Sequence, residues 1–131
     1  MKISIFLTIF LAIFQCSNEV RYACYESRVI DNALILCNEY MGTEDEAGII
    51  KEKWCNGIQA ASTQVGGDPN SVSSVTFKTE ECESENRIGI CNLTIENDSA
   101  KIYFYEPWLQ YNTIADASNR CTLRNGNFSQ P

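Results

Sequence analysis

Two stretches carry the fold: CYESRVIDNALILCNEYMGTEDEAGIIKEKWCNG at residues 24–57 and CNLTIENDSAKIYFYEPWLQYNTIADASNRCTLRNG at residues 91–126. Set one beneath the other, they share a layout. Each opens on a cysteine, runs through an alternating segment to a turn of acids and amides, returns through an apolar strand and enters a helical stretch. Each helical stretch carries a cysteine near its end, followed by Asn-Gly. Few positions are identical, so the likeness is one of pattern. The expected fold is α+β: two antiparallel β-hairpins in one sheet, an α-helix after each, in a single small domain held by disulfides.

The local chemistry agrees in both stretches. In the second, Leu93 and Ile95 alternate with polar neighbours, and Ile102-Tyr103-Phe104-Tyr105 is a β-branched and aromatic run suited to a pleated surface. Pro107 has no amide hydrogen to give, so the pairing stops there. In the first, Asp31-Asn32 can bond their own backbone and favour a turn, after which Ala33-Leu34-Ile35-Leu36 returns as a strand. The first helix starts at Thr43, with Glu46 placed to complete a capping box. Ala47, Ile50, Trp54, Ile58 and Ala61 follow at spacings of three and four, a core-facing stripe that Asn56-Gly57 interrupts as a helix end. The second helix takes Asn112 or Thr113 as its cap and Ile114, Ala117 and Cys121 as its buried stripe. A helix this short is marginal by itself, since isolated helices under ~12 residues barely form in water. A covalent tether would support it.

Six cysteines follow residue 20: Cys24, Cys37, Cys55, Cys82, Cys91 and Cys121. With no CxxC pair and no histidine, their spacing fits three disulfides better than a structural zinc site. Spacing alone leaves the pairing open. If the two stretches are equivalent, equivalent cysteines do equivalent jobs, which favours Cys24 with Cys55 and Cys91 with Cys121 and leaves Cys37 for Cys82. Residues 62–78, rich in Gly, Ser, Asn and Thr, read as a surface loop with a short strand at 72–78.

The N-terminus tells where the chain goes. Lys2 precedes an unbroken apolar run, Ile3 to Phe14, that ends at Gln15-Cys16. The run is short for a bilayer-spanning helix but suits the core of a secretory signal. No ordinary cleavage site nearby offers small residues at both recognition positions. A lipoprotein signal over residues 1–15, in which Cys16 becomes the acylated N-terminus, explains the cysteine better. Residues 16–22 would then be a tether, and residues 23–131 the domain.

Composition excludes some functions. Once Lys2 leaves, nine of the ten basic residues face all 17 acidic ones, and they are scattered singly. Nucleic acid, which is held by clustered Lys and Arg, is not an expected partner. The acids at Glu80, Glu81, Glu83 and Glu85 lack the alternating oxygens and central glycine of a calcium loop and read as a solvated face. The absence of histidine removes the commonest general base and the usual Ser-His and Cys-His pairs. Glu106 beside Trp108 is the most suggestive carboxylate, because an aromatic wall can raise a carboxyl pKa. No glycine-rich phosphate loop, HExxH or GxSxG occurs. No catalytic residue, metal or cofactor is assigned. Trp108 and Tyr111 are read as covering the hairpin's end, and they gain a binding role if they form a contiguous exposed patch. Asn92, Asn97 and Asn127 each begin an Asn-X-Ser/Thr triplet, which carries meaning only in a pathway that glycosylates.

The loose lipobox Ile13-Phe14-Gln15-Cys16 and the C-terminal pattern GICNL…KIYFYEPW…ADASNRC…NGNFS resemble the small cysteine-containing lipoproteins of leptospires and related spirochaetes, many of unknown function. The likeness covers about forty residues, and the middle of the chain has no counterpart in it. It implies cleavage before Cys16, thioether diacylglycerol on the sulfur and an acylated amine, hence attachment to a membrane through N-terminal acyl chains. The expectation is an exported protein of a bacterial cell envelope, acting as a binding or interaction module without enzyme activity and with an unknown protein partner. The competing reading is a soluble secreted cysteine-rich effector or hydrolase inhibitor that loses Cys16 with its signal.

Overall fold

A computed structural model of the protein describes residues 18–64, 73–96 and 98–131. The apolar run, Cys16, Asn97 and residues 65–72, where a surface loop is expected, lie outside them. The fold is α+β, built on one six-stranded antiparallel sheet. The strands are β1 (Val20–Arg28), β2 (Leu34–Gly42), β3 (Ser73–Lys78), β4 (Arg87–Ile95), β5 (Asp98–Tyr105) and β6 (Asn127–Ser129). Their order is β3-β1-β2-β5-β4-β6. β1–β2 and β4–β5 are hairpins, and β2 pairs with β5 at the centre, Leu36 opposite Phe104 and Tyr40 opposite Ala100. β3 and β6 extend the expected hairpins outward, and β4 begins four residues before Cys91.

The turn at the end of β1 forms as its residues suggest. Asn32 adopts a positive φ of 56°, a conformation that asparagine tolerates. The Ala33 amide donates to the Asp31 carboxylate, and the Arg28 amide donates to the Ala33 carbonyl. The other hairpin turns at Glu96, also at positive φ.

After β2 the chain enters a continuous helical stretch, α1, through a single 3-10 turn at Glu44–Glu46 capped by the Thr43/Glu46 box. One α turn at Ala47–Ile49 widens into π geometry over Ile50–Cys55 and returns to α-helix over Asn56–Gln64. The wide turn shifts the buried face: Ile50 and Cys55, five apart, both reach the core, while Ala61 is exposed. Asn56-Gly57 does not end the helix. Both residues are exposed and nothing lies within 4 Å of where a Gly57 side chain would begin, so the glycine costs only about 1 kcal/mol of helix propensity. Packing of Ile58 and Trp54 on the core outweighs that. After β5, Glu106–Gln110 makes a 3-10 turn with Pro107 in its first positions, and α2 (Ile114–Thr122) follows, capped by Thr113 and Asp116.

Both faces of the sheet are covered. On one, Tyr22, Cys24, Leu36, Ile102 and Phe104 pack under α1 and α2. Fully burying each such side chain stabilises the fold by about 2 kcal/mol. On the other, Ala23, Tyr25, Cys37, Tyr103 and Tyr105 lie under the segment 79–86. That segment is pinned by its backbone. Glu81 and Glu83 carbonyls accept from the Tyr25 and Tyr105 hydroxyls, and the Cys82 amide donates to buried Glu39. Three disulfides complete the frame: Cys24–Cys55 and Cys91–Cys121 tie a strand to a helix, and Cys37–Cys82 staples the covering segment to β2. Such bonds persist in an oxidising, exported environment. Among the described residues, no helix is long and apolar enough to cross a membrane.

Candidate binding surface

The end of the sheet that carries the β1–β2 turn and the 3-10 turn at Glu106–Gln110 gathers most of the exposed apolar side chains. Its organiser is Arg28, the last residue of β1 and only 2% exposed. Its Nε donates to Asp31 Oδ1 at 2.9 Å, and its Nη2 to Asp31 Oδ2 at 2.5 Å and to Gln110 Oε1 at 2.7 Å. Its Nη1 donates to the Pro107 carbonyl at 3.1 Å, and the guanidinium lies 4.6 Å from the centre of the Tyr111 ring. The bond to Asp31 is the main reason the guanidinium holds its proton more tightly than usual, and the same bond lowers the Asp31 carboxyl. One buried cation therefore fastens two turns that are far apart in sequence.

Around it stand Val29, Ile30, Leu109 and Tyr111, four of the six large apolar side chains left exposed among the described residues. Trp108 is not one of them. It is 6% exposed, donates its indole N–H to the Thr113 carbonyl and meets Phe104 edge to face. Trp108 packs the core, while Tyr111, 50% exposed, belongs to the surface. Val29 and Ile30 drew no functional notice in the sequence, because two β-branched residues before Asp-Asn read as strand. Their exposure follows from the turn's geometry alone.

At the opposite end, a cleft of about 110 Å3 lies between α1 and the β4–β5 turn, with Tyr40, Ile50, Trp54 and Ile95 on its walls. Glu46, Glu96 and Asp98 also line it. Two of these carboxylates have structural work: Glu46 caps α1, and Glu96 pairs with Lys53 at 2.9 Å. Glu106 is exposed, away from this cleft. Under α2, buried Glu26 of β1 accepts from the Asn38 amide at 2.9 Å and faces Arg120 at 4.0 Å. Burial, the largest cause, makes the Arg120 guanidinium give up its proton more readily than usual. Among the described residues, no three Cys, Asp or Glu side chains are grouped to hold a metal ion. Asn92 and Asn127 are exposed and stand opposite each other in the β4–β6 pair.

The fold and this surface define a disulfide-linked α+β domain with an apolar tip. No protein-family model, curated protein or solved structure matches the chain.

Proposed function

We propose that this chain is an exported lipoprotein, held at a bacterial envelope membrane by acyl chains on Cys16, whose domain is a binding or interaction module and not an enzyme. The observation that carries the reading is the cysteine count. The chain has seven, and six of them are consumed in disulfides, which leaves Cys16, at the end of an apolar run, as the one thiol for another use. β1 begins at Val20, four residues further on, so the domain would sit close to the bilayer. Several acyl chains hold firmly, since each buried methylene adds about 0.8 kcal/mol. Intact-mass spectrometry of the mature protein tests this. Acyl mass on an N-terminal Cys16 is expected, and a detergent-free product that starts beyond Cys16 and stays in the aqueous phase would overturn it.

The soluble secreted reading is favoured by one feature, the exposed Asn92 and Asn127 of the Asn-X-Ser/Thr triplets. Glycan mass on either residue would select it. We also read residues 24–57 and 91–126 as two copies of one hairpin-plus-helix unit, supported by a strand order that is the same from either edge of the sheet inward. An experimental structure in which the two helices cross the sheet in unrelated directions would end that reading.

A further inference from the structure

We propose that Val29, Ile30, Leu109 and Tyr111 form a docking tip for a protein surface that offers apolar side chains ringed by Lys or Arg. Asp31 and Asn32 supply the turn, so the fold does not need Val29 and Ile30 in water. The tip is also rigid before it meets anything. Arg28 bonds to Asp31, Gln110 and Pro107 and stacks on Tyr111, so docking forgoes most of the ordering cost that flexible loops incur.

Charge selects the partner. Asp31 is exposed but paired with Arg28. Glu106 is exposed beside the tip and Glu83 and Glu85 line a depression next to Pro107, where Arg87 donates to the Glu83 carbonyl, leaving three carboxylates to one guanidinium. The one guanidinium within the patch is buried and already paired. A basic rim complements this surface and an acidic one is repelled. A second copy would bring the same carboxylates face to face in a chain of net charge −7. The apolar area is on the order of a few hundred Å2, less than the roughly 800 Å2 per partner of a standard stable interface, which suits a reversible complex. Position agrees with the lipoprotein reading, on which this step rests: β1 leads from Val20, four residues after Cys16, to the tip over nine residues, about 30 Å, so an N-terminal anchor leaves the tip facing outward.

The test uses the full-length protein in phosphatidylcholine nanodiscs and three synthetic peptides of equal length, leucine with lysine, leucine with glutamate and serine with lysine. The leucine-lysine peptide should shift the NMR amide signals of residues 29–32 and 109–111. Its affinity should exceed that of the other two by roughly tenfold. Val29→Asp/Ile30→Asp and, separately, Leu109→Ser should weaken it by a similar factor while thermal unfolding stays unchanged. Equal binding of all three peptides, shifts centred elsewhere, or no binding overturns the proposal. So does self-association, or adsorption to phosphatidylcholine vesicles, that depends on the same side chains. Peptide binding with an unacylated Cys16 removes only the anchor, and acyl mass without peptide binding removes only the docking.

Discussion

At Arg28 a cation is kept out of water by bonds to a carboxylate, a carbonyl and a side-chain amide, and its removal would leave those acceptors unpaired. Arg28→Met should therefore lower stability by about 2 to 4 kcal/mol in urea unfolding and loosen the tip, with added hydrogen exchange at residues 108–111. Asp31 responds to acid. Its carboxyl sits below the usual range, chiefly through the Arg28 bond, so it favours the fold above the unfolded value near ~3.9 and loses that effect as pH falls from there through the folded value. Asp31→Asn should flatten part of the stability loss below about pH 4. The rest belongs to groups such as Asp116, lowered by its capping bonds to Thr113. An unchanged acid profile in Asp31→Asn would show that the pair contributes nothing.

Among the elements, β3 is an edge strand that a helix side chain protects. Gln59 of α1 donates to the Ser73 carbonyl at 3.0 Å and accepts from the Val75 amide at 2.8 Å, as a neighbouring strand would. Gln59→Ala should cost about 1 kcal/mol and expose pairing groups, read as concentration-dependent light scattering. Gly126, after α2, is set by close approach: a Cβ there would lie 2.5 Å from Cys91 Sγ and 2.7 Å from Cys121 Sγ. Gly126→Ala should destabilise by about 1 to 3 kcal/mol in thermal unfolding. Local chemistry made several of these elements legible from sequence. Thr43 with Glu46, Asp31-Asn32 and Pro107 each act through their own backbone neighbours, so a short window suffices to read them. The π geometry at Ile50–Cys55 is different. It is consistent with Cys55 having to meet Cys24, and no local window contains that demand. β6 and the cover at 79–86 were hidden for the same reason, because both are held by distant strands. Trp108 and Tyr111, three apart, divide between core and surface, Trp108 turning to Phe104 and Tyr111 to Arg28 from β1.

For the whole molecule, covering the sheet's second face with 79–86 puts tyrosine hydroxyls under a stapled lid. Tyr105 is pushed up to about 12, mainly by burial, and burial also raises Tyr25. A raised folded value means the stabilisation is full below the unfolded value near ~10 and is lost as pH climbs through about 12. Cys37→Ser/Cys82→Ser should cost about 4 kcal/mol and move the ultraviolet phenolate titration toward lower pH. A titration that stays put would mean the lid closes without its staple. The positions of the three cross-links have another outcome. All of them close within residues 20–82 or within residues 91–121, and among the described residues none spans the β2–β5 seam. Residues 20–78 and 87–129 are joined covalently only by main chain, of which the staple leaves 83–86 as the link. At high concentration two molecules can therefore trade β5 for β5, every disulfide intact, and the resulting swapped pair would run as a monomer on any denaturing gel.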